Sequence, residues 1–207
     1  NILEKSQSKS VVAAGMLFAL NEFRNNIYSG NSYESDINLI KKLAGDDQEM
    51  NEVIDALLPY AQSGVMNREV LSAELKSLAN DIVLAKIQGE EVDIKEKAIS
   101  RFEQLKDQAK EQQLTSNTEE AVVARAQVML EEGNVEGAMY ELQKLKHNPA
   151  ANKWVDNASK SLMAGESSDM IIEQLVQKFA GQSGFSPESL IRTIMPVNNR
   201  PVYLSPR

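Results

Sequence analysis

Catalysis asks for a nucleophile beside a base, a cluster of metal ligands, or a glycine-rich cradle for phosphate. The chain has one histidine and no cysteine among 207 residues, so Cys nucleophiles and His–Cys metal sites are excluded. His147 stands between Lys146 and Asn148 at an expected helix end, where the helix dipole favours a cation. A surface cap is the simpler role for it. The glycines fall singly between helical segments, as capping residues do, and form no phosphate loop.

Paired carboxylates occur at Asp46-Asp47, Glu90-Glu91, Glu119-Glu120 and Glu131-Glu132. The first three pairs precede or open expected helices, where negative charge meets the positive end of the dipole. The fourth lies at a helix end beside a turn. None implies acid–base work, and no catalytic residue, metal or cofactor is expected.

Binding chemistry offers more. Trp154 is the only tryptophan and adjoins Lys153 on an Ala-rich helix. It reads either as a core anchor or, with Met129 and Tyr140, as a partner-facing hot spot. Around 92–113 the cations Lys95, Lys97, Arg101, Lys106 and Lys110 flank Phe102 and could lie on a membrane surface. Glu96, Glu103, Asp107 and Glu111 nearly balance them, which favours a solvated face with internal ion pairs. A net charge of −8 argues against general nucleic-acid binding, which needs a basic face.

The elements that must position these residues are helices. Apolar residues are 42% of the chain and aromatics 5%, a composition suited to closely packed Ala, Leu and Met helices. Val11–Leu20 is the longest apolar run, half of a membrane span, and is expected to be buried helix. A group of helices over 1–64 closes at Ser63-Gly64, with Asp46 and Glu49 as an expected N-terminal cap and Pro59 as a stop. Segment 65–117 holds a helix from about Asn67 to Ile87 and then a charged linker helix. Its narrow stripe Ile94, Ala98, Phe102, Leu105 and Ala109 suits a two-helix seam.

Segment 118–181 reads as consecutive antiparallel helices. It opens with a Ser116/Glu119 capping box, turns at Gly133-Asn134, restarts at Asn148-Pro149 and breaks at Gly165. The stretch Leu130–Ala138 resembles the turn of one tetratricopeptide repeat, without a second copy at the expected period. From 182 to 207 a Pro-rich tail is expected, with Arg192, Arg200 and Arg207 and no acid after Ser189. It is either a solvated, flexible end or a docking segment for an acidic partner or lipid headgroups. The fold class is thus all-α: helical hairpins or a bundle, a long charged helix and a Pro-rich tail.

Several stretches, in order, resemble the C-terminal region of mitofilin-like proteins, particularly alphaproteobacterial ones. They are Phe18–Arg24, Leu39–Gly45, Leu57–Ala61 with Gly64, Glu120–Ala126, Leu130–Asn134, Ala138, Glu141-Leu142 and Trp154. The likeness spans most of 10–180 and rests on order and spacing. It implies a non-catalytic membrane-organising scaffold, anchored in an inner membrane by an upstream helix and coiled coil. The domain would face the periplasm, or the intermembrane space in a mitochondrial setting. It would bind copies of itself, other proteins and a membrane surface. The chain departs from the family pattern in that anchor and long coiled coil are not in it, and the 92–113 helix is charge-balanced rather than basic. A tetratricopeptide-like adaptor that binds peptides or proteins is the alternative.

Overall fold

The structure is a computed structural model that describes residues 2–87, 93–184 and 186–195. Among them are nine α-helices, one 3-10 turn and no strand, so the fold is all-α. Two compact units divide the chain: residues 1–65 with 163–207, and residues 66–162.

The first unit contains α1 (Ile2–Ser29), α2 (Glu34–Ala44), α3 (Gln48–Leu57), the 3-10 turn Leu58–Tyr60, the second part of α8 (Pro149–Ser183) and α9 (Pro187–Ile194). Its core gathers Leu20, Phe23 and Ile27 of α1 with Ile37 and Ile40 of α2, Met50 and Ile54 of α3, and Ile171, Ile172 and Leu175 of α8. Tyr33 is fully buried beside Phe23, edge to face at 6.0 Å between ring centroids. Its hydroxyl donates to the Leu57 carbonyl at 2.6 Å. Gly64 closes this group with φ 71°, and a Cβ there would stand 2.5 Å from the Asn31 carbonyl oxygen. Only glycine fits that approach.

The second unit contains α4 (Arg68–Lys86), α5 (Ile94–Lys110), α6 (Glu119–Glu131), α7 (Val135–Leu142) and the first part of α8. Leu71, Leu75 and Val83 of α4 pack with Phe102 and Leu105 of α5, the Ala/Val face of α6, and Trp154 and Ala158 of α8. The α6–α7 hairpin turns at Gly133, with φ 85°, and Asn134 caps α7 by accepting from the Gly137 amide at 2.7 Å.

Several expectations change in this architecture. The break at Gly165 is absent, because α8 runs unbroken from Pro149 to Ser183. A helical glycine costs only about 1 kcal/mol relative to alanine. Burial of Ala164, Ile171, Ile172 and Leu175 on the same helix outweighs that. The caps are shifted too. Asp47, not Asp46, accepts from the Met50 amide at 3.0 Å, and Thr118, not Ser116, accepts from Ala121 at 3.3 Å.

Helix α5, expected to link two groups, packs within the second unit on both α4 and α6, since its stripe is broad enough for two neighbours. The four segments read from the sequence are regrouped because the end of the chain returns to its beginning. In the expected flexible tail, α9 buries Leu190 and Ile194 in the first unit's core. Finally, the apolar run of α1 is only partly inside. Ala13 and Leu20 are buried, but Val11 is 72% and Phe18 68% exposed. Among the described residues, Val12 too stays 58% exposed in this stretch. Gly89, Glu90-Glu91 and the tail residues Pro196, Arg200, Pro201, Pro206 and Arg207 lie outside the described residues.

Candidate functional site

Three polar clusters are built into the units. In the first, α1 presents Arg24 and Tyr28 one helical turn apart, so both reach α8. The Arg24 Nε lies 3.3 Å from Asp169 Oδ1, and the Tyr28 hydroxyl donates to Asp169 Oδ2 at 2.7 Å. The guanidinium also sits over the Tyr28 ring, 4.6 Å from its centroid. Burial pushes the Asp169 carboxyl up, against the opposite pull of the Tyr28 hydrogen bond and the Arg24 charge. Arg24, Tyr28 and Asp169 all belong to the first unit, and the arrangement holds α1 to α8.

In the second unit, Lys106 is buried on α5 and donates to Glu131 Oε1 at 2.6 Å, while Gln127 Nε2 reaches the same oxygen at 3.3 Å. Burial raises the Glu131 carboxyl, but the Lys106 and Gln127 hydrogen bonds and the charges of Lys106 and Lys110 outweigh it. The net direction is down. The third cluster centres on Arg125. It donates to the carbonyls of Leu114 and Ser116 at 3.1 and 2.6 Å, to Asn117 Oδ1 at 3.2 Å and to buried Glu141 at 3.1 Å. One guanidinium thus fastens the α5–α6 connection to α6 and α7. Lys144 adds a second cation to Glu141 at 3.0 Å.

The residues singled out from sequence separate into two kinds. Trp154 is 2% exposed, and its indole N–H donates to the Leu71 carbonyl at 2.8 Å. It is the core anchor, and a partner-facing role is corrected, since both its apolar face and its polar tip are occupied inside the unit. Met129 is half-buried against the same core. Tyr140 is 67% exposed, with the Lys144 ammonium 5.3 Å from its ring centroid. These three form no common surface.

On α5, Lys95, Arg101 and Lys110 are exposed, whereas Phe102 and Lys106 are buried. A lipid-facing role for those two is corrected: Phe102 fills the core and Lys106 answers Glu131. Arg101 pairs with Glu120 at 3.4 Å. Sequence reasoning passed over Arg24, Asp169 and Arg125. The available signal was a lone charge within an otherwise apolar helical face, as with Arg125 among Val122, Val123, Ala124 and Ala126.

Among the described residues, no three His, Asp or Glu side chains gather as metal ligands. The surface depressions on α5 (Asp93 to Gln104) and on the start of α1 (Glu4 to Lys9) are shallow and lined by charged and polar side chains. No described helix is long and apolar enough to cross a membrane. Among the described residues, the large apolar side chains most exposed are Ile2, Leu3, Val11 and Phe18 of α1 and Tyr140 of α7. No protein-family model, no curated protein and no solved structure matches this chain.

Proposed function

We propose that this chain is part of a non-catalytic, mitofilin-like scaffold that organises membranes, and that it supplies oligomer and partner contacts. The observation that carries this reading is the set of exposed apolar side chains on α1, namely Ile2, Leu3, Val11, Val12 and Phe18, on an element of a well-packed unit. Exposed apolar side chains gathered along one helix mark a place where another surface belongs. The ordered resemblance over 10–180 supports the same reading. In it, a membrane anchor lies upstream of these residues, and the domain works on the periplasmic side of an inner membrane or in an intermembrane space.

Tethering the chain through an N-terminal tag to anionic liposomes, followed by flotation and imaging, tests the proposal. Vesicles that cluster or deform only when the chain is tethered are the expected result. Inert vesicles, together with a strict monomer at all concentrations, would overturn it.

A second reading, a helical adaptor for peptides, is favoured by exposed Tyr140 on the α6–α7 hairpin beside Lys144. It requires that a peptide protect the Tyr140 region from hydrogen exchange.

A further inference from the structure

The last described helix of the first unit is short and two-sided. α9 turns Leu190 and Ile194 inward, and Met195 follows them, while Glu188, Ser189, Arg192 and Thr193 stay exposed. It lies against α1 and enters a core that also holds Met16, Leu17 and Leu20 of α1 and Val176, Phe179 and Ala180 of α8. Apolar burial, not charge, seats it. Glu188 and Arg192 form no ion pair among the described residues, and the Thr193 hydroxyl donates back to the Ser189 carbonyl at 3.0 Å. With eight residues, α9 is well below the about 12–15 that an isolated helix needs in water. It is helical because the first unit holds it, so the groove it fills is a receptor for a short amphipathic helix.

We infer that this groove takes the α9 of a second copy, so that two chains exchange their last helices reciprocally. This gives the scaffold reading its oligomer contact and rests on that reading. An ordinary dimer must find about 800 Å² on each partner that the monomer leaves open. Exchange needs no such area, since each groove and each α9 regain the same apolar contacts across the pair.

The connector supplies the pivot. α8 ends at Ser183, and Gly184 follows with φ 77°, its amide donating to the Ala180 carbonyl at 3.0 Å. A Cβ at Gly184 would meet nothing within 4 Å, so only the left-handed backbone asks for glycine there. Glycine leaves that conformation at little cost, which re-aims the chain after α8 and carries α9 away from its own groove. A short connector keeps a chain's own α9 at an effective concentration on the order of millimolar. Exchange therefore prevails where copies stand at comparable density, as molecules held side by side on one surface do.

Sedimentation equilibrium of the whole chain, followed up to about 1 mM, reads the exchange. The natural chain should form a reversible dimer only towards the top of that range. Gly184→Ala strains the closed left-handed turn and should raise the dimerisation constant at least about fivefold. Leu190→Asp combined with Ile194→Asp should abolish the dimer, with circular dichroism checking that the remaining helices persist. A fluorescent synthetic peptide of residues 186–195 should bind this double variant saturably. It should bind the natural chain at least about tenfold more weakly, because the chain's own α9 competes. The same peptide carrying both substitutions should not bind. A dimer that survives the double substitution overturns the exchange and leaves the scaffold reading standing, as does a chain that stays monomeric with Gly184→Ala. A peptide that fails to bind the folded double variant overturns the groove as a helix receptor. Should the double variant not fold, the response to Gly184→Ala decides by itself.

Discussion

Tyr33 shows how one side chain can tie a helical group together and set its pH limits. Its ring packs on Phe23 and its hydroxyl donates to the carbonyl that ends α3. Burial, with the neighbouring Tyr60, pushes it up from the ordinary 10.0 to about 12. The folded chain holds this proton more tightly than the unfolded one. Its contribution is whole below pH 10 and is lost as pH rises towards 12. Tyr33→Phe should cost about 1 kcal/mol in urea unfolding at pH 7, for one buried hydrogen bond. It should also flatten the alkaline loss of stability between pH 10 and 12, provided the melt is followed on the first unit. Glu131 has the opposite sign. Its lowered carboxyl stabilises the second unit above the ordinary value of 4.5, and that contribution fades as pH falls below it. Glu131→Gln should therefore shrink the acid-side drop in the second unit's melting temperature, which a pH series of thermal melts measures. Trp154 was legible as a large residue on an Ala-rich helix, but the direction of its indole was not. Its hydrogen-bond partner Leu71 is 83 residues away, and local pattern carries no information about that distance.

Helix punctuation was the most legible feature at the next scale. Pro149 opens α8, Asn148 caps it by accepting from Ala150 and Ala151, and Gly133 turns the α6–α7 hairpin. These are local effects of φ and of unpaired amides, so nearest neighbours suffice to read them. The errors arose where two adjacent residues could each serve. Thr118 and Ser116 both carry a hydroxyl before α6, and only Thr118 reaches a helix amide. Thr118→Ala should cost about 1 kcal/mol in chemical denaturation, with Ser116→Ala close to neutral. Gly165 was misread for a different reason: packing on both sides of it overrides its propensity. The end of α5 offers the converse case. Gln112 adopts φ 57°, and the Gln113 amide bonds the Gln108 carbonyl at 2.9 Å, the pattern that glycine usually closes. Gln112→Gly should raise the stability of the second unit by about 1 kcal/mol, because a left-handed backbone is strained for a residue with a Cβ. A thermal-shift comparison with the unchanged chain reads the sign directly.

For the whole chain, the sequence order of helices did not disclose which ones share a core. The segments 1–64 and 118–181 read as separate groups, yet residues from 163 onward pack with the first 65. That return depends on contacts such as Arg24 with Asp169, 145 positions apart, which no local pattern encodes. The consequence is a chain in which α8 belongs to two cores at once, its Trp154 end in one and its Ile171–Val176 end in the other. Two cores of similar size need not open together, so a single unfolding free energy is not defined for such a chain in advance. Leu75→Ala removes a fully buried side chain from the second core and Ile37→Ala one from the first. Each should cost about 2–5 kcal/mol locally. Native-state hydrogen exchange should show Leu75→Ala lowering protection in α4, α5 and α6 while α2 and α3 keep theirs, and Ile37→Ala doing the reverse. Equal loss in all helices from either substitution would mean that α8 couples the two cores into one cooperative body.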